Sequence, residues 1–98
     1  MKKTLLILAG LATGVSSFAA ETITVGASPV PHAEMLKFVQ PELAKQGYTL
    51  KVIEFSDYIT PNLALSQKQI DANFFQHQPY LDQYNKDHKT DLVPLVKV

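Results

Sequence analysis

Apolar positions along the chain switch between two periods. Residues 22–27 are short and β-branched and predict a first strand. Met35, Val39 and Leu43 then recur at spacings of four, with Leu36 and Phe38 beside them, so the next segment predicts a helix with one apolar face. Pro31 would open that helix where a missing N–H is harmless, and Gly47 would end it in a left-handed cap. Pro41 lies inside the pattern and predicts a kink, or a division into two short helices. A second strand follows at 50–55. Thr60 is the expected cap of a short helix that starts at Pro61 and runs to about Lys68. Residues 72–75 predict a brief third strand, 79 to 86 or 88 a third helix, and 92–98 the start of a fourth strand.

Strands alternating with helices at this spacing imply an α/β fold, a mostly parallel sheet with helices on both faces. Ligands of such sheets sit outside the carboxyl ends of the strands. The segments expected there are 28–32, 56–62 and 76–80.

The N-terminus follows neither period. Met1-Lys-Lys precedes an apolar run from Leu5 to Ala12 and small residues ending at Ala20, the layout of a cleavable secretory signal. The run falls short of the ~20 apolar residues a membrane helix needs. Cleavage after Ala19 places small residues at the required positions, with Ala20 as the alternative, so 1–19 reads as signal and 20–98 as the mature unit.

Composition narrows the function. The chain has no cysteine, which excludes a disulfide framework and a cysteine metal site. Past residue 19, seven lysines face nine acids, a net charge of −2 with no continuous block, and this does not suggest nucleic acid as a partner. No arginine occurs anywhere.

The informative chemistry lies in two loops. Phe55-Ser-Asp-Tyr-Ile-Thr-Pro-Asn62 and Asn73-Phe-Phe-Gln-His-Gln-Pro-Tyr-Leu-Asp82 gather aromatics, amides and an imidazole beside apolar strands, the make-up of a small-ligand pocket. Together with Val25-Gly-Ala-Ser-Pro-Val-Pro-His-Ala-Glu-Met-Leu36, they resemble the NlpA-type periplasmic methionine-binding lipoproteins, the substrate-binding components of methionine ABC importers. The resemblance runs from Glu21 to Val98.

That resemblance implies a binding protein without turnover or cofactor. Its cargo would be methionine or a related amino acid, and its partner a permease–ATPase complex at the inner membrane. It implies ligand contacts at Tyr58, Phe75, His77 and Tyr80, with Asn62 also in the ligand-binding set. Tyr58 and Tyr80 would each offer a ring wall and a phenol hydrogen bond. Phe75 would pack on the thioether, a contact worth roughly 0.3–1.5 kcal/mol, and His77 would bond a polar ligand atom. Phe74 and Phe75 point to opposite faces of a strand, and Phe74 is the expected core ring. The chain would form the N-terminal part of the first of two lobes, truncated before the arginine with which such proteins clamp the ligand carboxylate. Leu8-Ala-Gly10 precedes Leu11 where a lipoprotein carries its lipidated cysteine, so a soluble periplasmic form is expected.

Plainer roles compete at each position. Tyr58 and Tyr84 could be packing residues, and Asn62 and Asn73 could simply tie down loop backbone. His32 at a helix start reads as structural or cleft-lining, and the macrodipole accounts for His88 at a helix end. Two other function classes remain. A metal-binding protein would use His32, Glu34 and His77, although no His-Glu-x-x-His spacing is present. An enzyme would use His77 as general base, oriented by Asp71, Asp57 or Glu34, with Ser28 or Ser56 as nucleophile, although no Gly-x-Ser-x-Gly elbow is present.

Overall fold

Three parallel strands carry the architecture of the computed structural model, which describes residues 21–98. The signal expected at 1–19 lies outside the described residues. β1 (Glu21–Ala27) is central. β2 (Tyr48–Glu54) pairs with it along its whole length, from Glu21 opposite Tyr48 to Ala27 opposite Glu54. β3 (Ala72–Phe74) pairs on the other side over three residues, Val25 to Ala27. The α/β class and the parallel sheet are as the sequence predicts.

Only the carboxyl-terminal end of β1 lies deep, where its residues are small or branched, while Glu21 and Thr22 are exposed. Val25 and Ala27 are buried, as is Leu50 on β2. Gly26 allows a close approach: a Cβ there would lie 2.5 Å from the Phe55 ring and 3.0 Å from the end of Ile70. Asp71 starts the β3 ladder from both its ends, its N–H donating to the Thr24 carbonyl and its carboxylate accepting from the Thr24 N–H, each at 2.8 Å.

The first helix departs from expectation in three ways. Pro31 does not open it. Residues Pro29–Ala33 form a wide turn, closed by a 2.8 Å bond from the Ala33 N–H to the Ser28 carbonyl, with Val30 extended in its middle, and regular α1 spans Glu34–Lys45. Pro41 does not divide it. Pro41 and Lys37 are both exposed, so water can reach the Lys37 carbonyl that loses its donor, and the helix continues. The packed row is also different: Leu36, Gln40 and Leu43 are half-buried, while Phe38, Met35 and Val39 are exposed. Gln40 fixes this rotation by donating to the Leu50 carbonyl at 2.8 Å, and Lys37 pairs with Glu54 at 2.6 Å. Gly47 adopts the expected left-handed backbone, φ 90°, and its N–H bonds the Ala44 carbonyl.

α2 (Thr60–Ser66) has Pro61 in its first turn, but Thr60 makes no side-chain cap. Asp57 does that work: one carboxylate oxygen accepts from the Ile59 and Thr60 N–H groups and from the Thr60 hydroxyl, at 2.7–3.0 Å. α3 spans Gln78–His88 and ends at Lys89, which is left-handed. The expected fourth strand does not form, and 90–98 has no regular structure. Asn85 explains the break. Its side chain binds both the N–H and the carbonyl of Leu92, the groups a strand would offer to the sheet, and it also accepts from the Thr90 hydroxyl.

Candidate functional site

The carboxyl ends of the three strands release three loops onto one rim, and their side chains line one open groove. Tyr58, Phe75, His77 and Tyr80 line it together with His32, and the 91–98 segment lines it too. At about 1450 Å³ the groove exceeds the usual range for an enclosed ligand pocket, roughly 300–1,000 Å³. It is a wall rather than a closed cavity.

Tyr58, Phe75 and Tyr80 form an aromatic cluster in it, and Phe74 lines it as well. Tyr58 lies parallel to Phe75 with centroids 6.2 Å apart, and Tyr80 meets Phe75 edge-on at 6.0 Å. Both geometries suit aromatic quadrupoles. Tyr58 is 63% exposed and Phe75 only 8%. The expected division between the two phenylalanines is therefore reversed in burial. Phe75 is the core ring, while Phe74 is half-buried and packs against His32, edge to face at 4.5 Å. The strand ends at Phe74, so Phe75 turns under the tyrosines instead of continuing the pleat.

Tyr80 donates its phenol proton to the Tyr58 backbone carbonyl at 2.6 Å, which leaves its oxygen lone pairs as the free polar function. His77 stands exposed at the N-cap of α3 in extended backbone, with no side-chain cap bond. Asp57, on the rim between Phe55 and Tyr58, has its carboxyl held below the usual range. The chief cause is the Thr60 N–H, followed by the Thr60 hydroxyl, with the Ile59 N–H adding to it.

Asn62 does not line the groove. It is fully buried and its amide is engaged internally: its Nδ2 donates to Gln76 Oε1 at 2.7 Å, and its Oδ1 accepts from Gln76 Nε2 at 2.8 Å and Asn73 Nδ2 at 2.9 Å. Sequence reasoning missed Gln76 because nothing in a loop's composition says which amide turns inward.

The competing chemistries lack their geometry. Among the described residues no three His, Asp or Glu side chains converge on a metal position, so His32, Glu34 and His77 do not form one. No hydrogen bond joins His77 to Asp57, Asp71 or Glu34 among those residues: Asp71 bonds Thr24 and Asp57 caps α2. Ser28 does bond His32 Nδ1, at 2.7 Å, but the ring beside His32 is Phe74 and not an orienting carboxylate.

Comparison with known proteins gives a consistent picture. Residues 23–98 match the model of the NlpA lipoprotein family. The methionine-binding lipoprotein MetQ of Bacillus subtilis is 53% identical over 66 residues, 67% of this chain and 24% of that protein. A putative lipoprotein from Ruminococcus gnavus superposes with a TM-score of 0.74 at 47% identity, covering 76% of this chain and 30% of that one. A nutrient-binding protein from Burkholderia cenocepacia, solved bound to methionine, gives 0.64 at 47% identity, covering 68% and 28%. The chain thus spans about a quarter of the length of the relatives it matches.

Proposed function

We propose that this chain, which belongs to the NlpA lipoprotein family, forms one wall of a binding site for methionine or a closely related amino acid. The observation that carries the proposal is the nest of Tyr58, Phe75 and Tyr80 at the carboxyl rim of the sheet. A flat, polarizable ring surface suits a thioether, at roughly 0.3–1.5 kcal/mol per sulfur–aromatic contact. His77 stands at the edge of this nest, exposed, and is the polar group we assign to the ligand's ionic end. The methionine bound to the Burkholderia relative and the name of the Bacillus relative support the choice of cargo.

The wider role belongs to the same proposal. The protein would be exported, capture its cargo outside the cytoplasm without chemical turnover, and deliver it to a permease–ATPase complex at the inner membrane. Binding would shift a population of open forms toward closed ones, the usual behaviour of hinged binding proteins.

The chain contains no arginine to hold a carboxylate with two parallel bonds. On its own it should therefore bind methionine weakly, with Kd on the order of millimolar. An NMR titration reads that range. Saturable shifts are expected at Tyr58, Phe75, His77 and Tyr80 with methionine and not with aspartate. Shifts spread evenly over the surface, or none, would sink the reading.

A further inference from the structure

We infer that Asn62, Asn73 and Gln76 form a positioning element, a lock of side-chain amides that sets where Phe75 and His77 stand on the groove wall. The three residues come from different parts of the fold: the first turn of α2, the middle of β3, and the loop between β3 and α3. Asn62 and Gln76 pair reciprocally, each amide both donating to and accepting from the other, at 2.7 and 2.8 Å. Asn73 adds a donor to Asn62 Oδ1 at 2.9 Å and another to the Pro61 carbonyl at 3.1 Å, and its own carbonyl accepts from Gln76 at 3.3 Å.

Two properties distinguish this cluster from ordinary loop anchoring. Asn62 is fully buried, and an unpartnered amide there would be costly, yet no buried side-chain polar atom among the described residues lacks a partner. Reciprocal pairing also fixes orientation as well as distance, which apolar packing, being non-directional, does not. Gln76 sits directly between Phe75 and His77, both on the groove wall. Holding its amide inward against α2 leaves its two neighbours one placement each. Asn62, which does not line the groove, thus acts on the ligand only through the residues it holds, while Asn73 and Gln76 also border the groove themselves. The methionine reading enters this inference only as the identity of the ligand.

Nitrogen-15 NMR on the intact chain tests the lock without any ligand. The side-chain NH₂ protons of Asn62 should exchange slowly with solvent, as in a closed, protected unit. Gln76→Met keeps length and apolar bulk at a half-buried loop position and is the variant expected to fold. In it the β1 and β2 resonances should stay in place, the Asn62 NH₂ protection should fall, and the Phe75 and His77 resonances should shift or broaden. Asn62→Leu should displace the same two resonances if it folds. Unprotected Asn62 NH₂ protons in the unaltered chain overturn the inference, as do unmoved Phe75 and His77 resonances in Gln76→Met. Methionine titration then separates the two proposals. If the unaltered chain shows methionine shifts, Gln76→Met should raise the apparent Kd about tenfold with the thermal midpoint of the sheet preserved, and a folded Asn62→Leu, altered off the groove, should raise it as well. An unchanged Kd alongside displaced His77 and Phe75 would refute the lock's role in binding. If the unaltered chain gives no methionine shifts, the ligand assignment fails, while the ligand-free exchange and resonance data still decide the lock.

Discussion

The Tyr80 hydroxyl donates to the Tyr58 backbone carbonyl at 2.6 Å, joining the first turn of α3 to the loop that follows β2. This one bond sets two rings of the Tyr58–Phe75–Tyr80 cluster relative to each other, and it redirects the phenol from the ligand to the protein. Tyr80→Phe keeps the ring and removes the bond. It should cost about 0.5–1.5 kcal/mol in urea unfolding, the net worth of a typical hydrogen bond, and it should loosen the parallel seating of Tyr58 on Phe75. A change in Tyr58 ring shifts with unaltered sheet resonances checks the second part. Unmoved Tyr58 would contradict it.

Phe75 is both wall and core, at 8% exposure, so truncating it acts twice. Phe75→Ala should destabilise the fold by about 3–5 kcal/mol, as large-to-small changes at buried aromatics do, and methionine shifts should vanish. Phe75→Leu retains most of the volume and separates the two effects: urea unfolding should show the smaller loss, and titration should still show weakened binding because the aromatic face is gone.

Gly26→Ala should destabilise by about 1–3 kcal/mol through overpacking. The added methyl would need the Phe55 ring, 2.5 Å away, to move, and Phe55 opens the loop that carries Asp57 and Tyr58. Thermal unfolding gives the magnitude. An unchanged midpoint would mean that the ring yields freely.

Asp57 gives the start of α2 a pH dependence of definite sign. Its carboxyl is held below the ordinary range in the folded chain, first by the Thr60 N–H, so its contribution is present at neutral pH and above. It is lost as pH falls below the ordinary carboxylate range and through the lowered folded value. Thr60 amide shifts followed by NMR should report this loss on acidification. Asp57→Asn, which cannot ionise, should leave the same amide flat over that window.

The three strands that form, and their parallel class, were legible in the sequence because β-branched runs and proline or glycine punctuation act locally. The rim was legible for the same reason, since a parallel sheet delivers the loops holding Tyr58, His77 and Tyr80 to one edge wherever the helices settle. What failed depended on contacts distant in sequence. The rotation of α1 was chosen by Gln40 reaching the Leu50 carbonyl, against the pull of the Met35–Val39–Leu43 stripe. Asn85 took the groups that a fourth strand would have used, and Asp57 replaced Thr60 as cap. Asn62 went from ligand candidate to interior tie because its partners lie 11 and 14 residues further along the chain.

β3 is fastened to β1 by three residue pairs, where β2 has seven. Short ladders fray first, so the amides of Asn73 and Phe74 should be the earliest in the sheet to exchange with solvent. A guest resting on the groove wall would suppress that fraying from outside. Occupancy of the groove would then register as slowed deuterium uptake along β3, whose residues share that wall.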